Sequence, residues 1–255
     1  MDKLKALIFD FDGTLADTER DGHRVAFNQA FESFGLDWYW DADLGKKLCG
    51  VSGGKERLRY YIERWQPEFK PEQGLDAFIR ELHAAKQGFY LKLVAAGGIP
   101  LRPGVERLLR EAHQAGVRMA IATTTTYENV TTLLGSTLGA DAAGWFEVIA
   151  AGDVVGPKKP APDVYFYVLE QLDVTGSDCL AIEDSDNGIL AAIAAGIKTL
   201  ITVNDYTLDQ DFSAAALVLD QLGEPHAGFE VLAGDAGGAT FVDLQLLQGV
   251  FAGTP

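Results

Sequence analysis

From residue 104 onward, strand-length apolar runs alternate with segments whose apolar residues recur every three to four positions. A helical pattern over Val105–Ala115 precedes the strand-like Val117–Thr123, and a helix running through Leu134 precedes Phe146–Ala151. A helix over Asp163–Leu172 then leads to Cys179–Asp184, and one over Gly188–Ala195 leads to Lys198–Val203 and a short run near Ala216–Leu219. Runs that are apolar on both faces and separated by helices are the mark of parallel strands, because a parallel pair needs a crossover long enough to hold a helix. With the run Leu7-Ile8-Phe9 as its first strand, the pattern predicts an α/β fold: a doubly wound, Rossmann-like parallel sheet covered on both sides.

Between that first strand and residue 104 the period changes. From Asp17 to about Val94 the apolar positions keep helical spacing: His23, Phe27, Phe31 and Phe34, then Leu58, Tyr61, Ile62 and Trp65, then Leu75, Phe78, Ile79, Leu82, Phe89 and Leu93. About four helices are expected there, with Gly97-Gly98-Ile99-Pro100 and Pro103-Gly104 marking the exit. The chain therefore divides into a catalytic core, residues 1–15 and 96–255, and a helical cap, residues 16–95, inserted after the first strand. Hinges are expected at 14–18 and 95–103. Residues 221–255 are Gly-rich and are expected to hold a closing helix at Val242–Phe251.

The 255 residues carry a net charge of −16, which argues against nucleic acid or an anionic membrane as partner. The charge is uneven: residues 17–95 hold 12 Lys/Arg against 13 Asp/Glu, whereas the rest of the chain holds 9 against 24. A near-neutral insert in so acidic a chain is where an anionic small molecule could be met; a solvated helical face explains the charge pattern equally well. No run is long enough to span a membrane and no basic-then-apolar leader opens the chain, so a soluble, cytoplasmic protein is expected; a monomer is the expected state. Two cysteines, Cys49 and Cys179, read as small buried thiols.

In a doubly wound sheet, ligands bind beyond the carboxyl ends of the strands, where the strand order reverses. The first strand ends in Asp10-Phe11-Asp12-Gly13, the second in Thr123-Thr124-Thr125-Thr126 and the fourth in Glu183-Asp184-Ser185-Asp186, while the loop after the third holds Lys158-Lys159-Pro160. Acids, hydroxyls and a lysine thus converge on one sheet edge from distant parts of the chain. Asp10 and Asp12, two residues apart on a strand, start out aimed alike, and two like charges held close require a cation or a proton.

Four motifs, Asp10-Phe11-Asp12-Gly13-Thr14, Thr123 after Ala120-Ile121-Ala122, Lys159-Pro160-Ala161-Pro162-Asp163 and Glu183-Asp184-Ser185, resemble those of the haloacid dehalogenase-like hydrolases, in the branch with a helical cap. Within it, Gly22-His23-Arg24, Phe27-Asn28 and Gly53-Gly54-Lys55-Glu56-Arg57 look like CbbY-type xylulose-1,5-bisphosphate phosphatases. The resemblance implies a Mg²⁺-dependent phosphatase of a small anionic phosphosugar. Asp10 would be the nucleophile and Asp12 the acid and base. The metal would be held by Asp10, the backbone carbonyl of Asp12 and Asp184, with Glu183 ligating or supporting a ligand. Thr123, Thr124 and Lys159 would hold the transferring phosphoryl, although capping of the following helix explains Thr124 to Thr126 nearly as well. Phosphoryl transfer needs this set: an in-line nucleophile, charge neutralisation and a proton donor for the leaving oxygen.

For the cap, the resemblance implies substrate contacts from Glu19, His23, Lys55, Arg57 and Lys86. Lys55 follows two glycines at a helix start, where free N–H groups and the helix dipole favour an anion; plain helix initiation is the other reading. Lys86 lies on the apolar stripe between Leu82 and Phe89, where a solvated lysine is not expected, and it matches a phosphate-contacting lysine of the β-phosphoglucomutase cap. His23 fits a core histidine as well as a substrate contact, and Arg57 fits an ion pair with a neighbouring acid. The alternatives are a sugar phosphomutase of the β-phosphoglucomutase type and a phosphoglycolate-type phosphatase. Against the mutase, Gly50-Val51-Ser52 is followed by Gly53 where the mutase pattern has arginine.

Overall fold

The computed structural model describes residues 4–254. The described chain divides into two compact units, one formed by residues 4–17 and 100–254 and the other by Thr18–Ile99.

The first unit is built on a seven-stranded sheet. Strand β1 (Ala6–Phe9) lies parallel between β2 (Arg118–Ala122) and β4 (Cys179–Glu183). Outside β2 lies β3 (Val148–Ala150); beyond β4 come β5 (Lys198–Thr202), β6 (Leu217–Leu219) and β7 (Val231–Gly234), giving the order β3-β2-β1-β4-β5-β6-β7. All neighbours are parallel except β6 and β7. The chain builds outward from β1 on one side and then returns to build outward on the other, so the strand order reverses beside β1.

The two faces of the sheet differ in side-chain size. Ala6, Ile8, Ala120, Ala122 and Ala181 face α7 (Asp163–Leu172) and α8 (Asp186–Ala194), packing against Val164, Tyr165, Val168, Leu172, Ala191 and Ala192. Alternate residues such as Leu7, Phe9, Ile121 and Ile182 turn to the other face and are fully buried too. Helices α5 (Val105–Gln114) and α9 (Leu244–Ala252) pack on β2 and β4, and α6 (Tyr127–Leu138) follows β2. Each such Leu, Ile or Phe contributes about 1.5–3 kcal/mol on leaving water, which is why strands this short persist.

β7 has no counterpart in the sequence reading. All four of its residues are exposed and it joins the sheet edge through a bulge, so neither an apolar run nor an alternation marks it. The closing helix forms, capped by Asp243, whose side chain accepts from Leu246 N, at Leu244–Ala252 rather than Val242–Phe251.

The second unit contains α1 (Arg24–Ser33), α2 (Ala42–Cys49), α3 (Gly54–Trp65) and α4 (Leu75–Ala95), with a π-helical turn at Glu19–His23 leading into α1. Its core is aromatic: Phe27, Phe31, Trp38, Trp40, Tyr61 and Phe78 pack in mostly tilted and edge-to-face pairs. On α4 the buried line runs Phe78, Leu82, Lys86, Tyr90, Val94, one residue beyond the expected Phe89 and Leu93. Steps of four keep a side chain on one line where a contact surface is long.

The units divide at 17/18 and 99/100, a few residues beyond the expected 15/16 and 95/96. The reason is local pairing: Ala16 bridges both Asp12 and Leu101, and Arg102 N donates to Leu15 O at 2.9 Å. Among the described residues, no helix is long and apolar enough to cross a membrane.

Candidate active site

Register brings the carboxylates together. Phe9 pairs with Ile121 and with Ile182, so Asp10, whose N–H donates to Ile182 O, stands level with Ala122 and Glu183 at the strand ends. One lysine joins the three: Lys159 Nζ donates to Asp10 Oδ1 at 2.6 Å, Glu183 Oε1 at 2.6 Å and Ala122 O at 2.8 Å. Lys159 reaches them from the loop before α7, across a cis peptide to Pro160. Asp10, Glu183 and Asp184 can each offer an oxygen within 4.8 Å of the others, and all three are buried.

Burial and mutual repulsion make full ionisation of this set unfavourable. Burial pushes the Asp10 carboxyl well above its ordinary range, with Glu183 and Asp184 adding to the effect and Lys159 opposing it. Burial and the Glu183 charge raise Asp184 to about 8, against the pull of Arg102 and a hydrogen bond from Asn204. Burial works against the charge on Lys159, yet Asp10 and Glu183 outweigh it and raise its pKa. Three carboxylates against one ammonium leave two negative charges to be met by protons or by a divalent cation. Hard oxygen donors that are already dry and close suit Mg²⁺.

The three acids are not equally available. Glu183 is fully buried; its Oε1 accepts from Lys159 and from the Tyr165 hydroxyl, and its Oε2 accepts from Asp184 N at 3.3 Å. A Cβ on residue 188 would come within 1.9 Å of Oε2, so Gly188 is the residue that lets α8 start directly over this carboxylate. Asp184 Oδ2 accepts from Asn204 Nδ2 at 2.7 Å. Gly13, at φ +86°, passes so close that a Cβ there would stand 2.2 Å from Asp184 Oδ2. Glu183 is thus the most engaged of the three, bonded to Lys159, Tyr165 and Asp184 N, while Asp10 and Asp184 keep more oxygen capacity for a cation.

The remaining core residues fall around this centre. Asp12 is half-buried in the turn after β1. Thr123, at the end of β2, is buried; its Oγ1 accepts from Thr125 N at 3.2 Å, which leaves its hydroxyl hydrogen to donate elsewhere. Thr126 is the N-cap of α6 and accepts from Asn129 N, while Thr125 accepts from the Asn129 side chain at 2.9 Å. Capping thus accounts for Thr126, and Thr124 lies half-buried between the two roles.

Of the five residues expected in the helical unit, three, His23, Arg57 and Lys86, gather around a fourth, Glu19. Arg57 grips it with two hydrogen bonds, at 2.7 and 2.9 Å, and also donates to Val51 O at 3.3 Å. Burial opposes the Glu19 charge, but Arg57, His23 and Lys86 outweigh it and hold the carboxyl at about 2. Lys86 Nζ lies 2.8 Å from His23 Nδ1 and about 5 Å from the ring centres of Phe27 and Tyr90. His23 stacks on Tyr90. Of the two readings of each, the histidine is a core residue and the arginine is in an ion pair. Lys55 is apart from this group, lining a shallow groove between α3 and α4 with Arg59, Asp76 and Arg80. The Glu56 carboxylate folds back to within 2.2 Å of where a Gly53 Cβ would stand, so an acid of the chain itself occupies that helix start.

Sequence reasoning missed Tyr165, Arg102 and Asn204. Tyr165 has the spacing of a core aromatic on α7, and nothing local distinguishes it. Arg102 and Asn204 act across 89 and 191 residues of chain, on the carbonyl of Gly13. A lone arginine between Leu101 and Pro103 was the one available signal.

Comparison with known proteins agrees with this architecture. Residues 4–196 match the model for the family described as haloacid dehalogenase-like hydrolase. The chain is 51% identical to the plasmid-encoded protein CbbY of Cupriavidus necator over 222 residues, 87% of either chain. It is 47% identical to protein CbbY of Rhodobacter capsulatus, covering 84% of this chain and 91% of that one. A crystal structure of a CbbY variant from Rhodobacter sphaeroides in complex with xylulose 1,5-bisphosphate superposes with a TM-score of 0.79 at 41% identity, over 86% of this chain and 94% of that one. With the motifs on the strand ends where they would act, and identity this high over most of the chain, this protein belongs to the haloacid dehalogenase-like hydrolases, in the CbbY branch.

Proposed function

We propose that this hydrolase is a Mg²⁺-dependent phosphatase of a small sugar phosphate, with xylulose 1,5-bisphosphate as substrate, and that it works through an aspartyl phosphate on Asp10. The observation that carries the reading is Lys159 held between Asp10 and Glu183 beside Asp184, at the switch point of the sheet. The bisphosphate is the ligand of the related CbbY variant, and it comes to this chain by that relationship.

Each residue has a distinct task. Asp10 has one oxygen tied to Lys159, so the other is the one that attacks phosphorus. Lys159 spreads positive charge toward the nucleophile and the phosphoryl group while its own position is fixed by Glu183 and the Ala122 carbonyl. Thr123 donates its hydroxyl hydrogen to a phosphoryl oxygen, and N–H groups at the start of α6 add to that cradle. Asp12 gives a proton to the departing sugar oxygen and then removes one from the water that hydrolyses the intermediate. Asp10, Asp184 and the carbonyl of Asp12 would hold Mg²⁺, which when bound neutralises charge on the phosphoryl oxygens.

The mutase alternative meets an obstacle at residue 53. Gly53 has φ +91° and Glu56 fills the space beside it, so the arginine of the mutase pattern would need both the backbone and Glu56 to move. The test is to incubate the protein with xylulose 1,5-bisphosphate and Mg²⁺. Inorganic phosphate and a ketose monophosphate are expected, and Asp10→Asn should release none. Net isomerisation of a hexose 1-phosphate without free phosphate would overturn the phosphatase reading.

A further inference from the structure

Asp184 is steered by a side chain from a distant loop. Asn204, just past the end of β5, has its amide fixed at both ends: Oδ1 accepts from Tyr206 N at 2.9 Å, and Nδ2 donates to Asp184 Oδ2 at 2.7 Å and to Gly13 O at 3.3 Å. Because Tyr206 N–H can only donate, Oδ1 must face it, and the NH₂ group must face the carboxylate. The backbone of Asn204 is anchored as well, its N–H donating to Thr207 Oγ1 at 3.0 Å.

A second residue braces the same point. Arg102 is buried, and its guanidinium donates to the carbonyls of Gly13, Thr202, Val203 and Asp220, with Nε 3.4 Å from Asp17 Oδ1. Gly13 O therefore receives hydrogen bonds from both Arg102 and Asn204. The ends of β1, β5 and β6 are pinned to one rigid cation, and Asn204 is carried by that frame.

We propose that Asn204 is a positioning residue for Asp184: it engages Oδ2 so that Oδ1 is the oxygen presented to the metal, and Arg102 holds the backbone on which this depends. The inference rests on the Mg²⁺ reading given above. A neutral amide suits the task. It restrains the carboxylate without neutralising it, whereas a lysine or arginine at this place would compete with the metal for its charge. Residues that orient a metal ligand typically change metal affinity by about 10–100-fold when removed.

The experiment is a calorimetric titration of metal-stripped protein with MgCl₂, without substrate, for wild type, Asn204→Ala and Asn204→Ser. Serine retains an oxygen for the Tyr206 N–H and so keeps the turn, but it is too short to reach Asp184. Both variants are expected to bind Mg²⁺ about 10–100-fold more weakly. At saturating Mg²⁺, kcat should recover toward wild type and KM should be unchanged. A dissociation constant within about twofold of wild type in the serine variant would overturn the positioning role, as would a loss of kcat that Mg²⁺ does not restore. Wild-type protein that binds no Mg²⁺ would overturn the metal reading itself, and the inference with it.

Discussion

The two units each bury a lysine, and the two lysines live in opposite surroundings. Lys159, 5% exposed, touches two carboxylates and a carbonyl; Lys86, 3% exposed, touches a histidine nitrogen, a glutamine oxygen and two aromatic faces. Lys159 is part of a dense ionic lattice whose members fix one another. Lys86 sits in the interior of an aromatic bundle, where its charge helps to hold the Glu19 carboxyl low. The difference teaches that burial alone does not tell what a lysine does. Close carboxylates lock Lys159 into an ionic cluster at the strand ends, whereas Lys86 is set among aromatic rings beside a histidine and a glutamine.

The comparison can be broken in four ways, the largest effect first. Asp10→Asn removes the proposed nucleophile and should lower phosphate release by at least about 10⁴-fold while leaving the melting temperature near wild type. Lys159→Met leaves buried carboxylates without their cation and should cost about 3–5 kcal/mol in urea unfolding, with activity lost as well.

Glu19→Gln acts through pH. Glu19 falls from an ordinary value of 4.5 to about 2 in the folded protein, so it stabilises the fold above pH 4.5, and that contribution fades as pH drops toward 2. The variant should be about 2 kcal/mol less stable at pH 7 and should lose less stability than wild type between pH 4.5 and 2, as followed by circular dichroism. Lys86→Met should cost less, about 1–2 kcal/mol, because methionine fills the same aromatic slot while the hydrogen bonds to His23 and Gln87 and the attraction to Glu19 are lost. A cost for Lys86→Met equal to that of Lys159→Met would erase the distinction between the two lysines.

What could be read from the sequence follows the range of the interaction. The sheet and the strand-end acids were legible because apolar runs that stop at Asp10 and Asp184 are local signals. Lys159 was legible through its motif, and Lys86 because a charge on an apolar stripe breaks a periodic pattern. The partners that make those residues work were not legible. Tyr165 looks like any core aromatic, and Asn204 meets Gly13 across 191 residues. The edge strand β7 carries no pattern at all, since water covers what a buried strand would have to hide. The pairing of Arg57 with Glu19 was foreseen only as an ion pair of unnamed partner, because 38 residues and a helix–helix contact separate them.

The pairing of Ala16 with Leu101, backed by the bond from Arg102 N to Leu15 O, has a consequence for how such a chain can change over generations. The departing and returning strands leave the sheet unit side by side, at strand-pairing distance. A segment of almost any length whose two ends lie that close can be spliced between them without disturbing the register of β1. Whatever is spliced in there, the sheet unit can be inherited intact.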